Sequence, residues 1–199
     1  MTDYLTIDEA KRWTGAPTDE LVVEVESTIT AVSAMIDHYC QRTFGESSSE
    51  SRDFVATNTA LIRFGPFNDL VSVSAVATDD GTGSFGTTVT DYVLEPHNTA
   101  GPETKPYNGI RRVSGEWPMA DSADARQARV RVTGTWGWPS VPAPVKAACR
   151  MQVARVFKRN ESPLGVAGFG EFGVVRVPSQ LDPDVRQMLA PYRILAGFA

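Results

Sequence analysis

The sequence predicts an α+β protein: a helical bundle domain formed by its N-terminal and C-terminal helices, with a small antiparallel β barrel or sandwich inserted between them. Three observations carry this. Val22, Val25, Ile29, Val32, Ile36 and Tyr39 recur at alternating spacings of three and four, a continuous apolar seam on a helix. Val145, Cys149, Val153, Val156 and Phe157 fall on one face of another helix far downstream. Between them, from about residue 52 to 136, the pattern becomes short alternating runs broken by Gly, Pro and Asn, which reads as strands. Each apolar helical face needs a partner, so the two are expected to pack together although the strands separate them in sequence. The expected segments are 1–46 for the N-terminal helices, 51–137 for the β module, 141–160 for the third helix, and 161–199 for a glycine-rich arm and C-terminal helix.

Taken in order, Thr6-Ile7-Asp8-Glu9 has the form of a capping box, in which hydroxyl and carboxylate each satisfy a backbone N–H at a helix start. Gly15-Ala16-Pro17 stops that short helix, and Thr18-Asp19-Glu20 opens the second, which is expected to end near Arg42. Its first turns are acidic, which suits the positive end of the helix dipole. A serine-rich linker, Ser47 to Ser51, precedes the strands expected at 61–64, 70–78, 89–94, 109–113 and 129–135. In the last of these, Arg129, Arg131 and Thr133 alternate with Val130 and Val132, one polar and one buried face. Pro142 and Pro144 suit the first turn of the third helix, where no N–H is missed. That helix carries Lys146, Arg150, Arg155, Lys158 and Arg159 and no acid, split between two flanks. Residues 161–180 contain four glycines and read as a long flexible arm, after which Asp182-Pro183-Asp184 caps a last short helix.

Composition narrows the function. The longest run free of Asp, Glu, Lys and Arg is fourteen residues, 132–145, with two glycines and three prolines, too short and broken for a membrane span. The first residues have neither a basic start nor an apolar core, so no secretory signal is expected. Cys40 and Cys149 are too few for a disulfide framework and are expected as buried thiols in a reducing compartment. Charge is unevenly spread: residues 1–100 carry 16 acids and 5 bases, net −11, whereas 101–199 carry 8 acids and 14 bases, net +6. With a pI near 5.1 and no dense basic block, this points to copies docking through opposite faces rather than to a DNA-gripping surface.

Little in the chain promises catalysis. His38 and His97 have no ligand spacing to each other or to the cysteines, which disfavours zinc, although a site made only of carboxylates stays open. Gly168-Phe169-Gly170-Glu171-Phe172-Gly173 lacks the Lys-Ser/Thr that follows a phosphate loop. No cofactor is expected. The arm is more unusual, because Leu164, Val166, Phe169, Phe172, Val174 and Val175 sit on a glycine-rich chain that cannot bury them locally.

Four stretches, YLTIDEAKRWTG, IDHYCQRTF, GWPSVPAPVKAACRMQVARVFKRNESPLGV and GFGEFGVVRVPSQLDPDVRQMLAPYR, together resemble the head-to-tail connector (adaptor) proteins of long-tailed bacteriophages, particularly those of actinobacterial hosts. The strands between them resemble an insertion found in the longer members. The resemblance implies a non-enzymatic structural protein of the virion, assembled in the host cytoplasm. It implies a homo-dodecameric ring beneath the portal protein that extends the DNA channel and offers a platform to the next neck protein, a stopper or tail terminator. Double-stranded DNA would pass without tight or sequence-specific binding, and no membrane is involved. On this reading Phe169, Phe172, Val174, Val175, Tyr192 and Arg193 are the candidates for portal binding. Glu24 and Glu26 are expected to face Arg155 and Arg159 of a neighbouring copy. Two rival readings are a carbohydrate-binding β module presenting exposed Trp117, Trp136 and Trp138, and a hydrolase using His97.

Overall fold

A computed structural model describes residues 2–14, 19–79, 83–97, 105–119, 130–160, 166–168, 174–176 and 181–194. The chain divides into two units: a helical one from Met1–Gln41 and Val141–Arg193, and a strand unit whose main part is Arg42–Ser140. No described helix is long and apolar enough to cross a membrane.

The helical unit contains α1 (Ile7–Thr14), α2 (Asp19–Cys40), α3 (Ala143–Asn160) and α4 (Pro183–Leu189), the last running into a 3-10 turn at Ala190–Tyr192. The capping box forms at α1, where Thr6 N donates to the Glu9 carboxylate at 2.9 Å and Glu9 N donates to Thr6 Oγ1 at 3.3 Å. The α2 seam is buried at Val25, Ile29, Val32, Ile36 and Cys40, and it packs on α3, which buries Val145, Ala148, Cys149, Val153 and Phe157. The helix stops at Cys40, two residues before the expected end. There Gln41 turns into the left-handed region at φ 58°, and its Nε2 donates to the His38 carbonyl at 2.7 Å. Asp182 caps α4, accepting from Asp184 N at 2.8 Å, while its own N–H donates to Gln152 Oε1 at 3.2 Å.

The strand unit holds β1 (Glu50–Phe54), β2 (Leu61–Arg63), β3 (Leu70–Thr78), β4 (Thr87–Thr88), β5 (Tyr92–Glu95), β6 (Gly109–Arg112) and β7 (Val130–Trp136). They form two antiparallel sheets, β1-β7-β3-β4 and β2-β6-β5, linked where Leu70 and Tyr107 exchange backbone hydrogen bonds of 2.8 Å. Among the described residues neither sheet closes on itself, so of barrel and sandwich the structure takes the open, two-sheet form. Strand β7 alternates as expected, with Val130, Val132 and Trp136 buried and Arg131, Thr133 and Thr135 partly exposed. Gly134 within it is required by packing, since a Cβ there would lie 2.1 Å from the Ser72 carbonyl oxygen. Both sheets feed one core rich in aromatics, in which the Phe54 and Phe64 rings lie 4.9 Å apart and Trp136 meets Phe64 edge-on at 5.4 Å.

Two expectations change. The strand expected over 89–94 is replaced by β4 and β5 in different sheets, because the chain leaves one sheet for the other between them. The arm expected to be flexible throughout contains an antiparallel pair, β8 (Val166–Gly168) with β9 (Val174–Arg176), in which Gly168 faces Val174.

Candidate functional site

Glu24 and Glu26 are exposed on α2, on either side of Val23, which is itself 68% exposed. With Val25, Ile29 and Val32 turned to the core, the geometry of 3.6 residues per turn sets Val23 on the opposite face, flanked by the two acids. Arg155 is exposed on α3 but forms an ion pair with the buried Asp182 of the same unit. Arg159 belongs to α3, and its side chain lies outside the described residues, as do Phe169 and Phe172. Val174 and Val175 form part of β9.

Tyr192 is only 6% exposed, so the side chain expected on a docking surface helps to close the helical core instead. Its burial follows from the 3-10 turn after α4, which carries the chain back onto the apolar face bearing Val185 and Leu189. Arg193 is exposed, with its guanidinium 5.2 Å from the ring centre of Tyr39.

The tryptophans overturn the carbohydrate reading. Trp117, Trp136 and Trp138 are at most 2% exposed. Trp136 Nε1 donates to the Glu50 carbonyl at 3.0 Å, Trp117 Nε1 to the Ala60 carbonyl at 3.2 Å, and Trp138 Nε1 to Asp69 at 3.0 Å. These rings are core, with their one polar atom satisfied, and offer no stacking platform.

The buried polar groups read as structural. Asp69 receives Arg42 Nη1 at 2.7 Å as well as Trp138, yet burial still raises its pKa against these two partners. Burial likewise pushes Asp37 up to about 6, opposed by the hydrogen bond from the Tyr4 hydroxyl. The Cys149 thiol, beside Ser33 Oγ at 3.9 Å, is pushed up to about 12 by burial and so is not a thiolate nucleophile at neutral pH. His97 is exposed, next to Glu95, whose carboxyl is held low by the hydrogen bond from Arg111. Among the described residues no group of three or more His, Cys, Asp or Glu is placed to hold a metal.

One surface escaped the sequence reading. A groove of about 500 Å3 runs between α1 and α3, lined by Arg12, Trp13, Lys146, Ala147 and Arg150 among others. Trp13 is 54% exposed, and the Arg150 guanidinium lies 4.4 Å from its ring centre. Among the described residues Arg12, Lys146 and Arg150 form no salt bridge. Glu9, also in the groove, is engaged with Thr6, whose backbone N–H lowers its pKa. Its basic residues come from segments too distant in sequence to be read as one cluster.

No family model matches the sequence, and no curated protein matches it. Solved structures do. A chain from the neck of an empty GTA particle computed with C6 symmetry superposes with a TM-score of 0.59 at 16% identity, covering 98% of this chain and 93% of that one. A chain from the virion of the native gene transfer agent (GTA) particle gives 0.54 at 17%, covering 98% and 93%. A chain from the neck of the native GTA particle computed with C12 symmetry gives 0.54 at 17%, covering 96% and 91%. The shared feature is the fold, over nearly the whole length of both chains. These structural neighbours come from the neck and virion of gene transfer agent particles, parts of the kind to which the sequence resemblance also led.

Proposed function

We propose that this chain is a head-to-tail adaptor: a structural virion subunit that forms a ring of twelve beneath the portal, extends the DNA channel and carries the next neck protein, a stopper or tail terminator. The observation that carries this reading is the likeness in fold, along almost the full chain, to chains from necks computed with C6 and C12 symmetry. The charge asymmetry supports it, since unlike faces on one subunit favour head-to-tail contacts that close into a ring. A net charge of −5 suits a channel through which DNA must slide, because every phosphate contact adds salt-dependent grip. The protein acts in the virion after assembly in the host cytoplasm, by contact rather than catalysis.

The portal contact of this reading falls on the arm, through Phe169, Phe172, Val174 and Val175, with Arg193 beside it. The direct test is the particle mass of the purified chain, alone and mixed with purified portal rings. Twelve copies of 21.6 kDa in either condition are expected. A chain that stays monomeric and does not co-migrate with portal overturns the reading. Changing Phe169 and Phe172 to Ser is expected to abolish portal pull-down while leaving the circular dichroism spectrum unchanged.

A further inference from the structure

We propose that the groove between α1 and α3 is the socket for the acidic N-terminal half of α2 from a second copy of this chain. The inference rests on the ring reading above and names the two faces through which neighbouring subunits meet. Both faces belong to the helical unit. On the socket side stand Arg12, Lys146 and Arg150, without salt bridges among the described residues, around the half-exposed ring of Trp13. On the plug side Val23 stands out from α2 between Glu24 and Glu26, and the helix carries no basic residue from Asp19 to Met35. Each face thus pairs one exposed apolar side chain with charges of a single predominant sign, and the signs are opposite.

Within one subunit the two faces do not cover each other. Trp13 at 54% and Val23 at 68% exposure are the most exposed large apolar side chains described in the helical unit. A plug and a socket that differ and lie on one chain make a heterologous contact, which propagates head to tail and closes when the rotation allows. Arg155, held by Asp182 of its own unit, has no part in this contact. The contact also accounts for an aromatic ring left in water beside three cations, since Trp and Arg are the residue types that anchor interfaces.

Charge reversal on the whole 199-residue chain tests this. E24K/E26K alters the plug and R12E/R150E alters the socket, both at surface positions, and particle mass is read alone and on portal rings. Each variant by itself is expected to lose the ring and run as a monomer, and an equimolar mixture of the two is expected to reassemble, because every interface in an alternating ring is again complementary. Independently, Val23→Cys combined with Ala147→Cys is expected to give a ladder of intermolecular products with a short bis-maleimide, the native Cys40 and Cys149 being buried. Rings of parental mass from either reversed variant, or a cross-linked pair without a ladder, overturn the socket while leaving the ring reading intact. A socket variant that loses assembly and is not rescued by mixing shows that the groove holds a different acidic partner. A parent chain that never assembles, alone or on portal, removes the ring reading and the socket with it.

Discussion

The helical unit and the strand unit handle their cations and their tryptophans in opposite ways. Every described arginine of the strand unit is in an ion pair: Arg42 with Asp69, Arg52 with Glu50, Arg63 and Arg111 with Glu95, Arg112 with Asp91, and Arg131 with Asp53. Its tryptophans are buried and hydrogen-bonded. The helical unit instead leaves the ring of Trp13 half in solvent and keeps Arg12, Lys146 and Arg150 outside salt bridges among the described residues. The arginines and tryptophans described in the strand unit are thus satisfied internally, whereas the helical unit holds a ring and three cations outside such pairing. Among the described residues of the groove the cations have only the Glu9 carboxylate and the face of Trp13 near them, and that is the surface to which the proposed contact between copies is assigned.

The largest perturbations separate the two cores. Ile29→Asp places an unpaired charge between α2 and α3, and Trp136→Ala empties the aromatic core of the sheets; each is expected to cost about 3–5 kcal/mol. Helical circular dichroism reports one unit, and the blue-shifted emission of buried Trp117, Trp136 and Trp138 reports the other. Ile29→Asp should lose the helical signal first and keep the emission, and Trp136→Ala the reverse. Loss of both signals together in either variant would break the comparison, showing one cooperative unit.

Gly137→Ala comes next. Gly137 sits at φ 100°, and a Cβ there would lie 1.9 Å from the Gly45 carbonyl oxygen. Backbone strain alone is expected to cost about 1–3 kcal/mol, read as a lower denaturation midpoint of the tryptophan emission.

Asp37→Asn sharpens the helical side. Because burial raises the folded-state pKa from 3.8 to about 6, the contribution of Asp37 to stability is full below pH 3.8 and lost as pH rises through about 6. Asn retains an acceptor for Tyr4 without the charge. The variant is therefore expected to be more stable than the parent at pH 8, and its melting temperature is expected to vary less between pH 4 and 7. A parent and variant with parallel pH profiles would show that Asp37 titrates normally.

The smallest effect belongs to the strand surface. Arg131→Met removes the exposed bidentate pair with Asp53 and the stacking on Phe85, and is expected to lower the denaturation midpoint only slightly, since exposed pairs contribute little. It should leave particle mass unchanged, in contrast to reversal of Arg12 and Arg150.

Local signals made much of this fold legible. The capping box at Thr6 and Glu9, the seam from Val25 to Ile36, the Asp182 cap and the alternation along β7 each follow from residues within a few positions of one another. What failed was set by distant pairing. Trp136 reads as exposed beside glycines and a proline, yet its depth is fixed by β1, through Glu50, and by β3, where Leu70 lies opposite. Tyr192 reads as a surface tail until α4 is seen to return to the helical core. The groove was invisible because Arg12 and Lys146 share no local pattern, and Arg12 even lies in the acidic half of the chain.

The insertion of strands between α2 and α3 bears on how the chain folds as it is made. The α2 seam leaves the ribosome first and must wait for α3, and Ser33 and Cys149, which touch in the finished unit, are 116 residues apart. All the residues of β1 to β7 are made in the interval, so that β7 has β1 already at hand to pair with. By that pairing the strand unit ties its own ends together, with Ser47 N donating to the Trp136 carbonyl at 2.8 Å and Gly45 lying against Gly137. Closing a loop costs entropy that grows with the length of free chain. Once that knot is tied, α2 and α3 find each other across the short stretches on either side of it, so synthesis in this order shortens the search that the insertion would otherwise lengthen.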